Sequence, residues 1–483
     1  MPEILGFAPD LDPRTPGAIL DGLSFVPTIR GIAGAPAPMD IGVAALDAPC
    51  LGAASIRILS GGRRTIAGTA AKLQELSGTT WTDRSKVGGY ATGGGRWRYT
   101  QFGDVTIATN RTDPMQASNP GGAFADLAGT PPKARFLDTV GLFVIAADTT
   151  EATFGDQPDR WWCSALGNHA SWVPSIATQA ATGRLLDSEG PITGSRGLGS
   201  SWVVYKKNAI YVGNYVGGDV IWAFERVPGQ AGCVAHDSIV NLQSAHIFRG
   251  SDDFYVFDGN RVEPIGRRIK EFFSSDISVS FGDRILALHD KPNTLVYFFY
   301  PSTASSGSPD SGVVYNYESR KWGVHDLNVQ AITEHIAGAL TWDNLGTIAS
   351  TWNDFPAIAY DDPFWVSGSE APAIFDTTNK LVTLSGTPGT ASISTWEIGD
   401  LGRYTGISRV NPRFRSNIPT AGTMTGRYAT RQNRAFSSSG QIPLVGGRFS
   451  YLRDAVLHKF EMSFTGRFEL VDIDIEARPG PYE

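Results

Sequence analysis

The chain reads as an all-β protein, a β-propeller with a second, smaller β-sandwich, platform-like domain. Three observations predict this. Short apolar runs rich in Val, Ile, Tyr, Phe and Trp alternate with polar turns of two to four residues, a pattern that suits a pleated surface. Such runs recur in units along most of the chain. Gly (55) and Pro (29) are abundant among the 483 residues, as many turns require.

The pattern is clearest from Gly194 to Phe273. Ser201 to Tyr205 leads through Lys206-Lys207-Asn208 into Ala209 to Val212. Ser244 to Phe248 leads through Arg249 to Asp252 into Phe254 to Phe257. Asp258-Gly259 then offers two residues able to take φ > 0, which a tight hairpin needs.

Residues 1–60 carry Pro9, Pro13, Pro16, Pro27, Pro36, Pro38 and Pro49. Proline at this density blocks helix and limits strands to edges. An extended arm is expected, docked on the platform or on a neighbour, with Ile29, Ile32, Ile56 and Ile58 in short edge strands.

Residues 61–385 form the expected propeller. Val105, Leu142, Ala209, Ala245, Leu295 and Leu345 follow its inner turns, in steps of 37, 67, 36, 50 and 50 residues. Repeats of this length, each a small antiparallel sheet, fit propeller blades, and each blade adds its own apolar layer. A pair of β-sandwiches would give the same short strands. The long step reads as an insertion with Trp161, Trp162 and Trp172, and with weak helix character from Ser175 to Leu186. Three such rings are costly to leave in water. They either plug a core or form a subunit or adaptor interface. Trp352, Phe355, Phe364, Trp365 and Phe375, broken by prolines, read as a packed closing element.

Residues 386–483 form the sandwich, which the N-terminal arm can complete. Phe460, Met462 and Phe464 alternate with Glu461 and Ser463; Val471, Ile473 and Ile475 alternate with Asp472, Asp474 and Glu476. Each series predicts a strand with one buried and one wet face. Eleven arginines fall between residues 391 and 483. Arg409, Arg413, Arg415, Arg427, Arg431 and Arg434 are candidates for a subunit or adaptor interface, because guanidinium makes rigid bidentate contacts with carboxylates. A solvated face and direct phosphate contact are the other readings.

The formal net charge is −7. Residues 391–483 carry +3 and the first 390 carry −10. No net basic field exists to condense on nucleic acid. Three distant cysteines argue against a disulfide framework and fit folding in a reducing cytoplasm. No signal peptide and no membrane-spanning helix is expected.

Metal-ligand spacings, a nucleophile elbow and a phosphate loop are all missing from the sequence. No catalytic, cofactor-binding or metal residue is therefore assigned, and the expectation is a non-enzyme without cofactors. His236 beside Asp237 and Glu334 beside His335 would point to opposite faces of a strand. Asp252-Asp253 and Asp361-Asp362 read as acidic turns rather than cation sites. Ser308-Pro309-Asp310-Ser311-Gly312 resembles the Asp-box turn of sialidase propellers, in a single copy ending at Tyr315. It leaves a carbohydrate-binding or sialidase-like propeller as the alternative function.

Taken together, PRTPGAILDGLSFVPTIRGIAGAP near the start, GRWRYTQFGDVTIATN, PPKARFLDTVGLFVIAAD, WWCSALGNHASW, VFDGNRVEPIG, VVYNYESRKWGVHDL and RFELVDIDIEARP resemble the tail nozzle, or tail hub, family of short-tailed bacteriophages. The family is also called tail tubular protein B-like or phage stabilisation proteins. The resemblance spans nearly the whole chain and rests on structural motifs. It implies a homohexameric ring below the head-to-tail adaptor, in the virion tail. Double-stranded DNA would leave through the lumen without specific binding, and tail fibres or spikes would attach outside. The acidic balance fits a conduit, since a basic lumen would hold DNA by counterion release. Ring closure needs two complementary faces, and the charge split offers one such pair. Charge reversal of Arg413 and Arg415 is expected to impair assembly.

Overall fold

The computed structural model describes residues 3–59, 61–336, 370–400, 402–415, 417–431 and 435–482. Leu345, Trp352, Phe355, Asp361, Asp362, Phe364, Trp365 and Arg434 lie outside them. The described residues are almost entirely strand and turn. They form repeated four-stranded antiparallel sheets and two larger sheets that hold the C-terminal region, a propeller-like part joined to a sandwich-like part.

Seven repeated units follow one another among the described residues. The first five are separate meanders. They begin with Gly52–Arg57, Arg98–Phe102, Lys133–Val140, Ile192–Leu198 and Val240–Asn241. The sixth runs from Leu286–Asp290 to Lys321–Val324, and the seventh starts at Ala331–Ile336. The first strand of each unit lies beside the first strand of the next, and that of the seventh lies beside that of the first. Gly52–Arg57 falls inside the stretch expected to be arm, so the repeats begin earlier than the sequence pattern indicates.

Layers of apolar side chains fill the spaces between consecutive sheets. Neighbouring residues on a strand point to opposite faces, so each strand feeds two layers. Trp161 and Cys163 pack with Trp202, Tyr211 and Trp222 between the third and fourth sheets. Trp162 points the other way and packs with Ile107, Leu137 and Trp172 between the second and third. The paired tryptophans are therefore ordinary strand residues of Gly155–Cys163, not part of an insertion. The expected helical stretch is also β: Ala181–Arg184 is the fourth strand of that sheet. The repeat markers were out of phase as well, since Ala209 opens a third strand whereas Val105 and Leu295 open second strands.

The arm spreads over several sheets. Asp21–Leu23 pairs with Thr390–Ser394. Phe25–Pro27 pairs with the sixth unit, and Ile32–Gly34 pairs with Glu469–Tyr482. One nine-stranded sheet thus runs from the sixth unit through two arm strands into the C-terminal region. Ala37–Asp40 supplies the fourth strand of the seventh unit. Ile32 and Ile56 lie in strands as expected, whereas Ile29 is exposed in a bend and Ile58 falls just past the end of Gly52–Arg57.

In the sandwich-like part, Phe460, Met462 and Phe464 are buried against Val410, Met424 and Phe449. The last strand departs from simple alternation. Arg413 pairs with Asp472 but Phe414 pairs with Leu470, a bulge at Val471. The bulge shifts the pleat, so Leu470 and Ile473 are buried while Val471 is half-exposed and Asp472 is tucked in. The hairpin at Asp258-Gly259 also differs in detail. Only Gly259 has positive φ, and Asp258 Oδ1 instead accepts hydrogen bonds from the Asn260 and Arg261 N–H groups.

Candidate functional site

First strands of several units line a cavity. One part, of about 390 Å³, is lined by Ser55, Tyr99, Arg196, His236, His289 and Glu334, among others. The second, of about 520 Å³, opens where the first strands begin, and Arg96 and Arg98 line both. Arg111, Arg135, Asp283 and Arg284 line the second part as well.

Arg98 sits deepest. Its Nε and Nη2 donate to the two carboxylate oxygens of Asp237 at 3.2 and 2.9 Å, a bidentate pair, and Nη1 donates to Arg135 O at 3.3 Å. Arg96 Nε lies 3.4 Å from Asp237, and its two terminal nitrogens donate to Gln330 O. Burial pushes the Asp237 carboxyl up, but Arg98 and then Arg96 outweigh it and hold the carboxyl well below its usual range. Burial, aided by Arg98 and Arg284 and opposed by Asp237, lowers the pKa of the Arg96 guanidinium.

His236 and Asp237 stand in a 3₁₀ turn, His236–Ser238, rather than in a strand. That turn brings both residues to the wall of the cavity. The Ser195 N–H donates to His236 Nδ1 at 3.3 Å, and burial together with Arg98 keeps the imidazole neutral. Tyr99 Oη donates to Gly52 O at 3.3 Å, and burial pushes its pKa well up. Neither group is placed to exchange a proton near neutrality. The arrangement presents guanidinium groups held in place by internal partners.

Farther out, Arg111 bonds Asp148 and Asp156. Arg135 lies 3.9 Å from Asp148 and 3.6 Å from Asp283. Arg284 donates to Gly307 O at 3.1 Å and stacks on Phe281. Ser308 and Pro309 of the Asp-box-like segment edge this opening, while Asp310 ties the loop shut by accepting from the Ser302 N–H and hydroxyl. That segment is a structural turn in the sixth unit. Asp252 bonds Tyr255 and Lys270, and among the described residues no three metal-ligating side chains converge.

The candidate interface residues fall elsewhere. Trp161, Trp162 and Trp172 are 5%, 8% and 1% exposed, so a partner cannot reach them; they are interior packing. Of the C-terminal arginines, Arg409 meets Glu476, Arg413 meets Asp472 and Arg427 meets Glu461, at 3.5, 3.6 and 3.0 Å. These are cross-strand charge pairs inside one chain. Arg415 and Arg431 are exposed.

At the end of the first strands opposite the arginine mouth, Leu142, Leu166, Ile176, Val216 and Val220 are exposed. Hydrogen bonds from Gly167 N to Leu142 O and from Gln179 to Gly218 O join the segments that carry them.

No protein-family model matches the chain, and no curated protein is similar to it. Among solved structures, YCF48 bound to a D1 peptide is similar at 11% identity and a TM-score of 0.34, covering 60% of this chain and 88% of that one.

Proposed function

We propose that the chain is a ring-forming structural subunit of a bacteriophage tail, a nozzle or hub that extends the DNA channel below the head-to-tail adaptor. In this reading the seven units close into a single seven-bladed propeller, with the arm strand Ala37–Asp40 completing the last blade. The adjacency of the first and seventh inner strands supports that closure. The nine-stranded sheet carries the structural reading. A hinge between two parts suits an enzyme that opens and shuts; a continuous hydrogen-bonded sheet across them suits a load-bearing wall. The exposed apolar set around Leu142 and the exposed Arg415 and Arg431 offer two unlike surfaces, as heterologous ring contacts require. The resemblance of the sequence segments to tail nozzle proteins supplies the rest, including six copies, fibre or spike attachment and passage of double-stranded DNA through the space between subunits.

Native mass measurement of the purified chain, with negative-stain images of the assembled particle, tests this. The expected result is a closed ring of identical subunits around an opening wide enough for a B-form duplex. A chain that stays monomeric at all concentrations, and is missing from any tail, overturns it.

A further inference from the structure

We propose that the arginine-lined mouth of the cavity is a binding site for a small oxyanion carrying two or more negative charges. The inference stands on the mouth alone and holds whether or not the chain forms a ring.

The guanidinium groups are graded by depth. Side-chain exposure is 11% for Arg98, 25% for Arg96, 29% for Arg111 and 41% for Arg135, and Arg284 is exposed at the rim. They come from three different units, yet all line one opening of about 520 Å³. That volume lies in the range of small-molecule sites. Five arginines and one carboxylate, Asp283, line it, in a chain whose net charge is −7.

The nearby carboxylates do not use up these donors. Asp237 is held by Arg98 and shared with Arg96, and Asp148 is held by Arg111. Arg135 reaches Asp148 and Asp283 only at 3.9 and 3.6 Å, beyond hydrogen-bond length. Arg284 has no carboxylate partner among the described residues and donates to the Gly307 carbonyl. Arg135 and Arg284 thus line the opening with donors that no carboxylate takes up at hydrogen-bond length. Crowded like charges in a half-buried site favour an anion between them, and the rigid forks fit paired oxygens of phosphate or carboxylate.

Glycines keep the mouth open. A Cβ at Gly307 would lie 2.6 Å from Arg284 Nη1, and one at Gly94 would lie 2.8 Å from Asn110 Nδ2. Both residues line the opening. Side chains there would displace the groups that frame it.

Calorimetric titration of the full chain with pyrophosphate and, separately, with citrate tests the proposal. At least one probe is expected to bind once per chain. Its affinity should fall by about tenfold or more in Arg284→Gln and in Arg135→Gln, and stay unchanged in Arg467→Gln, an exposed position on the sandwich-like part. A preference for pyrophosphate assigns a phosphate-bearing ligand, and a preference for citrate a polycarboxylate. Arg284 and Arg135 are solvent-accessible, so thermal unfolding should match the parent and show that the variants fold. Lack of saturable binding of either probe up to about 10 mM, or equal affinity in the parent and both mouth variants, overturns the site.

Discussion

Tyr205 Oη lies 2.7 Å from His246 Nδ1, joining the second strands of the fourth and fifth units inside their shared apolar layer. His246 Nε2 is 3.1 Å from Gly197 O, a carbonyl that can only accept. The proton therefore sits on Nε2, and Nδ1 accepts from the tyrosine. Tyr205→Phe leaves that nitrogen buried without a partner. An expected loss of about 1–2 kcal/mol in urea unfolding at neutral pH checks the assignment.

The buried histidines make the fold acid-sensitive. Burial, first among the causes, pushes His246, His289 and His325 down to about 4. The unfolded chain takes up protons on these rings near 6.5, but the folded chain refuses them until about 4. Their contribution is complete above the upper value and is lost as pH falls toward the lower one. Each steepens the fall by up to about 1.4 kcal/mol per pH unit. Unfolding curves at pH 7, 5.5 and 4.5 should show a drop larger than one histidine can give.

Asp138 works in the opposite direction. Burial raises its carboxyl to about 7, offset only in part by Arg196. The folded chain holds this proton where the unfolded chain, near 3.8, has released it. The group favours folding below 3.8 and loses that effect as pH rises through about 7. Asp138→Asn should stabilise the protein at pH 8 by about 1–3 kcal/mol and change little at pH 4. Equal effects at both values would refute the assignment.

Arg64 ties the first two units together. Its side chain is 1% exposed, forks onto Glu75, and donates to Thr106 and Ser118 of the next sheet. Arg64→Met should cost about 3–5 kcal/mol, because Glu75 and the Ser118 carbonyl lose a buried partner. Thermal unfolding would reveal it.

For the ring, the informative arginines are the exposed Arg415 and Arg431. Arg415→Gln with Arg431→Gln should reduce ring formation while leaving the monomer's unfolding free energy within about 0.5 kcal/mol of the parent. Intact rings from the double variant would move the interface elsewhere.

Strand periodicity exposed much of this architecture in advance. The burial of Phe460, Met462 and Phe464 follows from alternation alone, as does the opposite aim of Trp161 and Trp162, once they are placed in a strand. What stayed hidden depends on distant partners. The bulge at Val471 is set by pairing with Arg413 and Phe414, which no local pattern encodes. The mouth arginines are scattered from Arg96 to Arg284 with no shared spacing. A signal existed nonetheless: Arg98, Arg135 and Arg196 all lie in first strands, and Arg96 and Arg284 just before them. Aligning the repeats on first strands rather than on turns would have gathered them.

The arm sets an order of events at the ribosome. Thr28 and its partner Glu469 are 441 residues apart, and Asp40 waits for Val382. The arm must therefore stay uncommitted while the intervening sheets assemble. Its many prolines, unable to donate to a neighbouring ladder, keep it from pairing prematurely with a nascent edge. The sheet closes only when Glu469–Tyr482 comes to lie beside Ile32–Gly34, so a product that stops short of residue 469 would leave Ile32–Gly34 as an open edge.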